Sequence, residues 1–522
     1  MPSGSIGNSK ARVLVIGAGI GGLTAGALLA LRGYRVLILD QAIIPGGCAS
    51  TFKRKGFTFD VGATQVAGLE PGGIHYRIFE ELEVELPSAT PCDPGCAVYL
   101  PGETEPINVW RDRHKWEVER QRQFPGSEPF WKLLAKLFEV SWEFQSRDPV
   151  LPPRSLWDLW QLASAVRPST MITLPYIFLT VGDALRRYGL GEDRRLRTFL
   201  DLQLKLYSQV NAEETALLYA ATALSVSQEP QGLFHLHGSM QVLSDRLVEA
   251  LKKYGGQLLM RHTVEHIHVE PKGASSVVIR NQKTGEVWTE AADHVVANVT
   301  VQNLVQLLDG DKGREKNLKS KIQNPKSKIL LAGYGHRVDK LPPASGAFVV
   351  YLGVDESAIP AKCPPHLQFL YDYDGPIGEN NSLFVSVSRP GDGRAPEGKA
   401  TIIASSFTDA RNWWQCADYE ALKREYTEEA IARLSQFFHL TPETILHVEA
   451  ATPRTFARFT GRDRGAVGGI GQRVPTFGPF GFANRTPVKR LWLVGDSTHP
   501  GEGTAGVSYC ALTVVRQIEA DS

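Results

Sequence analysis

Apolar residues at the head of the chain fall into two short unbroken runs, residues 13–16 (Val-Leu-Val-Ile) and 36–39 (Val-Leu-Ile-Leu). Between them Leu23, Ala27, Leu28 and Leu31 recur at helical spacing, and Gly33 follows where a C-terminal glycine ends a helix. The pattern predicts a strand–turn–helix–strand unit that closes on Asp40. Phe57, Phe59 and Val61 alternate with Thr58 and Asp60, a half-buried strand ending at Gly62. Residues 85–230 show few such alternations and carry Trp110, Trp116, Trp131, Trp142, Trp157 and Trp160. They are expected to form a helical insert, with helices over 199–206 and 213–224 packed on a greasy interior. Beyond it the pattern predicts a helix over 242–254, strands at 264–269, 277–279 and 295–297, and a second sheet from 347–352, 382–387 and 400–404. An amphipathic helix over 419–438 follows, then a buried-type strand at 491–494 that runs into a glycine loop and a last helix.

Composition narrows the class. The 522 residues are 43% hydrophobic and 22% charged, which suits a globular protein of two or three units. With 57 Lys and Arg against 56 Asp and Glu the net charge is +1, so no broad field exists to hold a nucleic acid. Six scattered cysteines make neither a disulfide framework nor a zinc pattern, and Cys92 and Cys96 read as ordinary thiols. No metal is expected, and a reducing, cytoplasmic setting is. The polar residues 1–12 do not resemble an export signal. Residues 168–182 are apolar and uncharged but too short to span a bilayer, so they are expected either to dip into a membrane surface beside Arg167, Arg186 and Arg187 or to wall a tunnel. The basic stretch 311–328 reads as an exposed connector.

The candidate chemistry begins at Gly17-Ala-Gly19-Ile-Gly-Gly22, placed between a strand and a helix. Gly17 permits the tight turn, Gly19 lets backbone approach phosphate oxygens, and Gly22 lets helix and strand pack closely. The helix start offers free N–H groups to a pyrophosphate, and Asp40, 18 residues beyond Gly22, can accept from a ribose diol. Pro45-Gly46-Gly47 near one end of the chain and Gly495-Asp496 through Gly506 and Val507 near the other imply a long cofactor, FAD rather than a nicotinamide. Asp496 is placed to accept from a ribityl hydroxyl, and the N–H groups at Gly506 and Val507 to face a reduced ring. Glu502 is the ionisable side chain best placed near the ring and is the candidate catalytic residue, with helix capping as its other role. His499 is expected to serve hydrogen bonding.

These segments, with Gly56-Phe57-Thr-Phe59-Asp60-Val-Gly62, Gly238-Ser-Met240 and Gly495-Asp-Ser-Thr-His-Pro-Gly501, resemble the flavin-dependent carotenoid desaturase and isomerase family, most of all its C-3′,4′ desaturase branch. The resemblance covers nearly the whole chain. It implies an α/β fold with a discontinuous Rossmann-like FAD-binding domain (1–85, 231–300 and 480–522) of amine-oxidase and phytoene-desaturase type, and an inserted α+β substrate domain (86–230 and 301–479) with a helical, membrane-facing part. It further implies that Val264 passes its backbone near the adenine, that Gly62 and Ala63 lie under the isoalloxazine, and that Gly238 supports the phosphate side. Asp40 stands where that superfamily more often has Glu. The activity implied is insertion of a double bond at an acyclic end of a hydroxylated, monocyclic carotenoid, with oxygen or a quinone as electron acceptor and peripheral attachment to a membrane. Cis–trans isomerisation with reduced FAD, amine oxidation, and a flavin-free isoprenoid carrier are the rivals.

Overall fold

The computed structural model describes residues 11–309 and 325–522. The unbroken apolar runs become the middle of a five-stranded parallel sheet in the order Gln257–Met260, Arg35–Asp40, Arg12–Ile16, His294–Ala297, Leu491–Leu493. Parallel strands need both faces covered, which is why these read as continuous hydrophobics rather than as an alternation. Val13, Val15, Val36 and Ile38 turn to one face, under helices Ile20–Leu31, Gln241–Lys253 and Gly503–Asp521. Leu14, Ile16, Leu37 and Leu39 turn to the other, under helix Val301–Asp309 and an antiparallel sheet of His262–Glu270, Gly273–Asn281 and Val287–Ala291. The first and last stretches of the chain thus lie side by side: strand Leu491–Leu493 is one strand removed from Arg12–Ile16, and Thr24 meets Ser508 at 3.4 Å.

A second, seven-stranded sheet runs Ile445–Ala451, Ser345–Asp355, Lys399–Asp409, Ser382–Val387, His366–Leu370, Cys96–Tyr99, Ile107–Val109. Helix Tyr419–Leu434 covers one face, and Phe57 and Phe59 pack on the other. Its last two strands come from the stretch predicted to be helical. Cys96–Tyr99 is too short to display a period, and its parallel partner lies far along the chain at Leu367–Phe369. Helices Arg113–Gln123, Glu128–Gln145, Val181–Arg187, Arg194–Ser208 and Leu217–Ser225 then build a core around Trp116, Trp131 and Phe199.

Two helical expectations are corrected. The helix expected at 213–224 begins at Leu217, because the backbone before it is already bonded sideways: Ala212 N–H donates to Asp201 (2.6 Å), Ala216 N–H to the Gln472 carbonyl (2.9 Å), and the Thr215 carbonyl accepts from Val181 (3.1 Å). The apolar stretch 168–182 holds a 3-10 helix, Pro168–Tyr176, interrupted by Pro175, before Val181–Arg187 starts. The basic stretch 311–328 falls mostly outside the described residues.

Candidate active site

The strand ends, the helix starts and the large sheet face a single cavity of about 1840 Å³. Gly17, Gly19, Asp40, Gly46, Gly47, Gly62, Ala63, Val264, Gly495, Asp496, Glu502, Gly506 and Val507 all line it. Gly22 does not. A Cβ there would stand 2.0 Å from the Gly17 carbonyl oxygen, so this glycine serves close packing of helix and turn. Gly238 is also off the cavity; its N–H donates to the Asp392 carbonyl at 2.8 Å, just before the helix whose Gln241 Nε2 donates to the Pro45 carbonyl at 3.1 Å.

The residues fit a long dinucleotide. Helix Ile20–Leu31 starts at Gly19 without a side-chain cap or an acidic residue in its first turn, so its N–H groups are left for an anion. The loops at 17–19 and 46–47 are pinned together, since Gly46 N–H donates to the Ala18 carbonyl at 2.8 Å. At the other end helix Gly503–Asp521 also lacks a side-chain cap, and a Cβ on Gly503 would stand in open space. Asp40 accepts backbone N–H groups from Ala18 (2.6 Å) and Ala42 (2.7 Å); burial pushes its carboxyl up while these donors oppose the shift. Its second lone pairs remain for a diol.

Other groups that shape the cavity carry no sequence motif. Asn298 follows a strand and sits between the first and last glycine turns, donating from Nδ2 to the Gly17 carbonyl at 3.4 Å; a polar residue at a strand end was the only signal. Arg462 pairs with Asp496 at 2.8 Å, so one oxygen of that carboxylate is committed within the protein. Lys205 and Gln209, at the end of helix Arg194–Ser208, complete the wall near Glu502.

Glu502 does not cap the last helix through its side chain. One carboxyl oxygen accepts from Gln209 Nε2 at 2.9 Å, and the Gly469 N–H is the other donor facing the group. Burial and the neighbouring Asp496 push it up to about 8 from 4.5, so at pH 7 it is an acid holding its proton. The folded state therefore holds a proton that the unfolded chain releases, and stability falls as pH rises from about 4.5 through 8. Glu502→Gln, isosteric and always neutral, is expected to abolish that decline, worth on the order of 3–5 kcal/mol. Thermal melts from pH 5 to pH 8.5 check this, with the variant gaining on the parent as pH rises. His499 contacts Gln145 Nε2 through Nε2 at 2.6 Å, and burial lowers it to about 4, so the ring is neutral. Cys92 and Cys96 are buried thiols whose pKa burial raises, that of Cys92 to about 11. Among the described residues no group of His, Cys, Asp or Glu is arranged to hold a metal ion.

Fold and cavity together define the class, a Rossmann-type oxidoreductase built around a dinucleotide. The model of an NAD(P)-binding Rossmann-like domain matches residues 15–82. Along nearly its full length the chain is similar to carotenoid isomerases and desaturases. It is 28% identical to prolycopene isomerase 1, chloroplastic, of an Oncidium hybrid cultivar, covering 97% of this chain and 84% of that protein. It is 26% identical to the neurosporene-forming phytoene desaturase of Cereibacter sphaeroides, covering 97% and 94%. Cyclohexylamine oxidase from Brevibacterium oxydans shares the fold, with a TM-score of 0.59 at 17% identity over 98% of this chain and 99% of that one.

Proposed function

We propose that this protein is an FAD-dependent desaturase that introduces a C-3′,4′ double bond into the acyclic end of a hydroxylated, monocyclic carotenoid. The observation that carries the reading is the cavity. Common ligand sites enclose about 300–1,000 Å³; this one has roughly twice that upper volume and joins a dinucleotide cradle to walls of Leu206, Leu218, Phe384 and Phe407. It has room for a long apolar molecule beside the cofactor.

The residues divide the work. The helix start with Gly17 and Gly19 holds the pyrophosphate, Asp40 the ribose and the Val264 backbone the adenine. Gly46 and Gly47 would hold the phosphates, Gly62 and Ala63 the isoalloxazine, Gly495 and Asp496 the ribityl chain, and the Gly506 and Val507 N–H groups would stabilise negative charge on the reduced ring. Bound FAD supplies the two-electron acceptor for a hydride. The protein holds the reacting carbon and excludes water, because a cation beside a polyene is already delocalised. Reoxidation then falls to oxygen or a quinone.

What surrounds the cavity supports attachment to a membrane surface. Leu162, Val166, Leu174 and Ile177 line it, while their neighbours Leu156 (86% exposed), Trp160 (68%), Met171 (52%) and Phe178 (68%) face outward. Large apolar side chains gathered beside the cavity wall suit the acyl boundary of a bilayer, and Arg154, Arg167 and Arg187 suit anionic head groups, Arg186 being held by Asp183 and Glu213. No helix of the described residues is long and apolar enough to cross a membrane. Trp160→Ser with Phe178→Ser is expected to lower binding to anionic vesicles about 30-fold or more at two lost anchors of ~1–2 kcal/mol each. Vesicle co-sedimentation reads this; unchanged binding would remove the patch from the reading.

Isomerisation is the second reading. It is favoured by Glu502, whose neutral carboxyl at the cavity wall is the form that gives a proton to a polyene. Expression in a carotenoid-accumulating bacterial host with different precursors decides between the two. A pigment lighter by two hydrogens supports desaturation; an unchanged mass with altered geometry supports isomerisation, and colourless protein that takes up no flavin supports a carrier.

A further inference from the structure

Desaturation releases a proton as well as a hydride, and the groups named so far are poor places for that proton. Glu502 already holds one near neutral pH. The Nε2 of His499 is engaged by Gln145, and burial holds the ring far below the ordinary histidine range, which makes it a weak base. We propose that Lys205 is the catalytic base of the cavity, accepting the proton from the substrate carbon beside the one that loses hydride; this rests on the desaturase reading above.

Lys205 sits in the last turn of helix Arg194–Ser208 and lines the cavity. Its Nζ donates to the Gln209 carbonyl at 2.9 Å and to Ser345 Oγ at 3.2 Å. Among the described residues no carboxylate forms an ion pair with it. A neutral amine has two N–H bonds and one lone pair, so two acceptors satisfy both donors and leave the lone pair on the remaining tetrahedral direction. The Phe407 ring centroid lies 5.4 Å from Nζ, a contact that favours the ammonium the base becomes once it has taken the proton.

Burial lowers the Lys205 pKa most, and Arg473 adds to that, while Glu214, Glu502 and Glu379 oppose it. Gln209 ties the site to the flavin-facing loop, since its amide holds Glu502 while its carbonyl holds Lys205.

The step balances. One carbon gives a hydride, with both electrons, to oxidised FAD. The adjacent C–H bond breaks, its electron pair becomes the new C=C bond, and its proton forms the third N–H on Nζ. Water takes that proton after product leaves.

Two measurements test the assignment. In protein labelled with ¹³C at the lysine ε carbon and free of substrate, the resonance missing from Lys205→Met should titrate below the ordinary lysine range. In anaerobic single turnovers with carotenoid in vesicles, the wild-type rate should rise with pH and level off at that same titration. Lys205→Met and the permanently charged Lys205→Arg should bind flavin with an unchanged absorption spectrum yet react about 100-fold slower or worse. A Lys205 resonance titrating at or above the ordinary lysine range, or a Lys205→Met rate within a few-fold of wild type with the same pH profile, overturns the assignment while the desaturase reading stands. If wild type yields no pigment lighter by two hydrogens, the desaturase reading falls and the base falls with it.

Discussion

Gly22→Ala should give a protein that purifies without flavin and melts well below the parent. The added methyl would sit 2.0 Å from the Gly17 carbonyl oxygen and 3.1 Å from Asn298 Cβ, and neither neighbour is free to yield. Gly17 is fixed by its N–H bond to the Leu39 carbonyl at 2.7 Å, and Asn298 by its own to the Ile16 carbonyl at 2.8 Å. The helix must therefore move away from the sheet, which for an overpacked buried site costs about 3 kcal/mol. The same movement withdraws the uncapped helix start from the phosphate position. The absorbance ratio of flavin to protein and a thermal melt are the readouts. A variant carrying a full complement of flavin with an unshifted melt would show that this glycine is not what sets the approach of helix to turn.

Arg394→Met should be at least as damaging, through the opposite kind of site. Arg394 and Asp60 are each only 2% exposed and pair at 3.0 Å. The guanidinium also donates to the Leu236 carbonyl at 2.8 Å. Asp60 in turn accepts from Met240 N–H at 2.8 Å and Thr51 Oγ1 at 3.0 Å. One ion pair thus ties the hairpin of Thr51–Arg54 and Phe57–Asp60 to the start of helix Gln241–Lys253 and to the loop at 392–394. Removing the cation leaves a buried carboxylate without its counter-charge, a loss of about 3–5 kcal/mol. Urea unfolding should show a lower midpoint with an unchanged slope. The double variant Asp60→Asn with Arg394→Met should recover part of the loss, since position 60 then buries no charge while Asp392, 3.4 Å from the guanidinium in the parent, still lacks its cation, and the double-mutant cycle gives the coupling. Additive losses would mean that the two side chains act separately.

The legible part of the fold was the part written locally. The turn at Gly17–Gly22, the strand ending in Asp40 and the strand at 382–387 announce themselves through spacing within a few residues, and each formed where the pattern placed it. Strands that owe their existence to a distant partner did not announce themselves. Cys96–Tyr99 depends on His366–Leu370, and Gln257–Met260, with one strongly exposed and three half-buried residues, depends on the edge offered by Arg35–Asp40. The same division runs through the site. Glycines that line the cavity were readable because only glycine tolerates those turns, whereas Lys205, Gln209, Asn298 and Arg462 are common residues in unremarkable surroundings. Nothing along the chain tells a buried lysine from a solvated one.

By itself, then, the sequence determined a strand–turn–helix–strand unit suited to a dinucleotide, because a turn, a helix start and an apolar strand are short-range consequences of steric freedom and periodicity. Only the tertiary structure decided which face of residues 168–182 meets the cavity and which faces outward. It alone brought Gln209 to Glu502 and Lys205 to the same wall. Burial and the distance between charges are properties of packing, and packing joins residues that lie hundreds of positions apart.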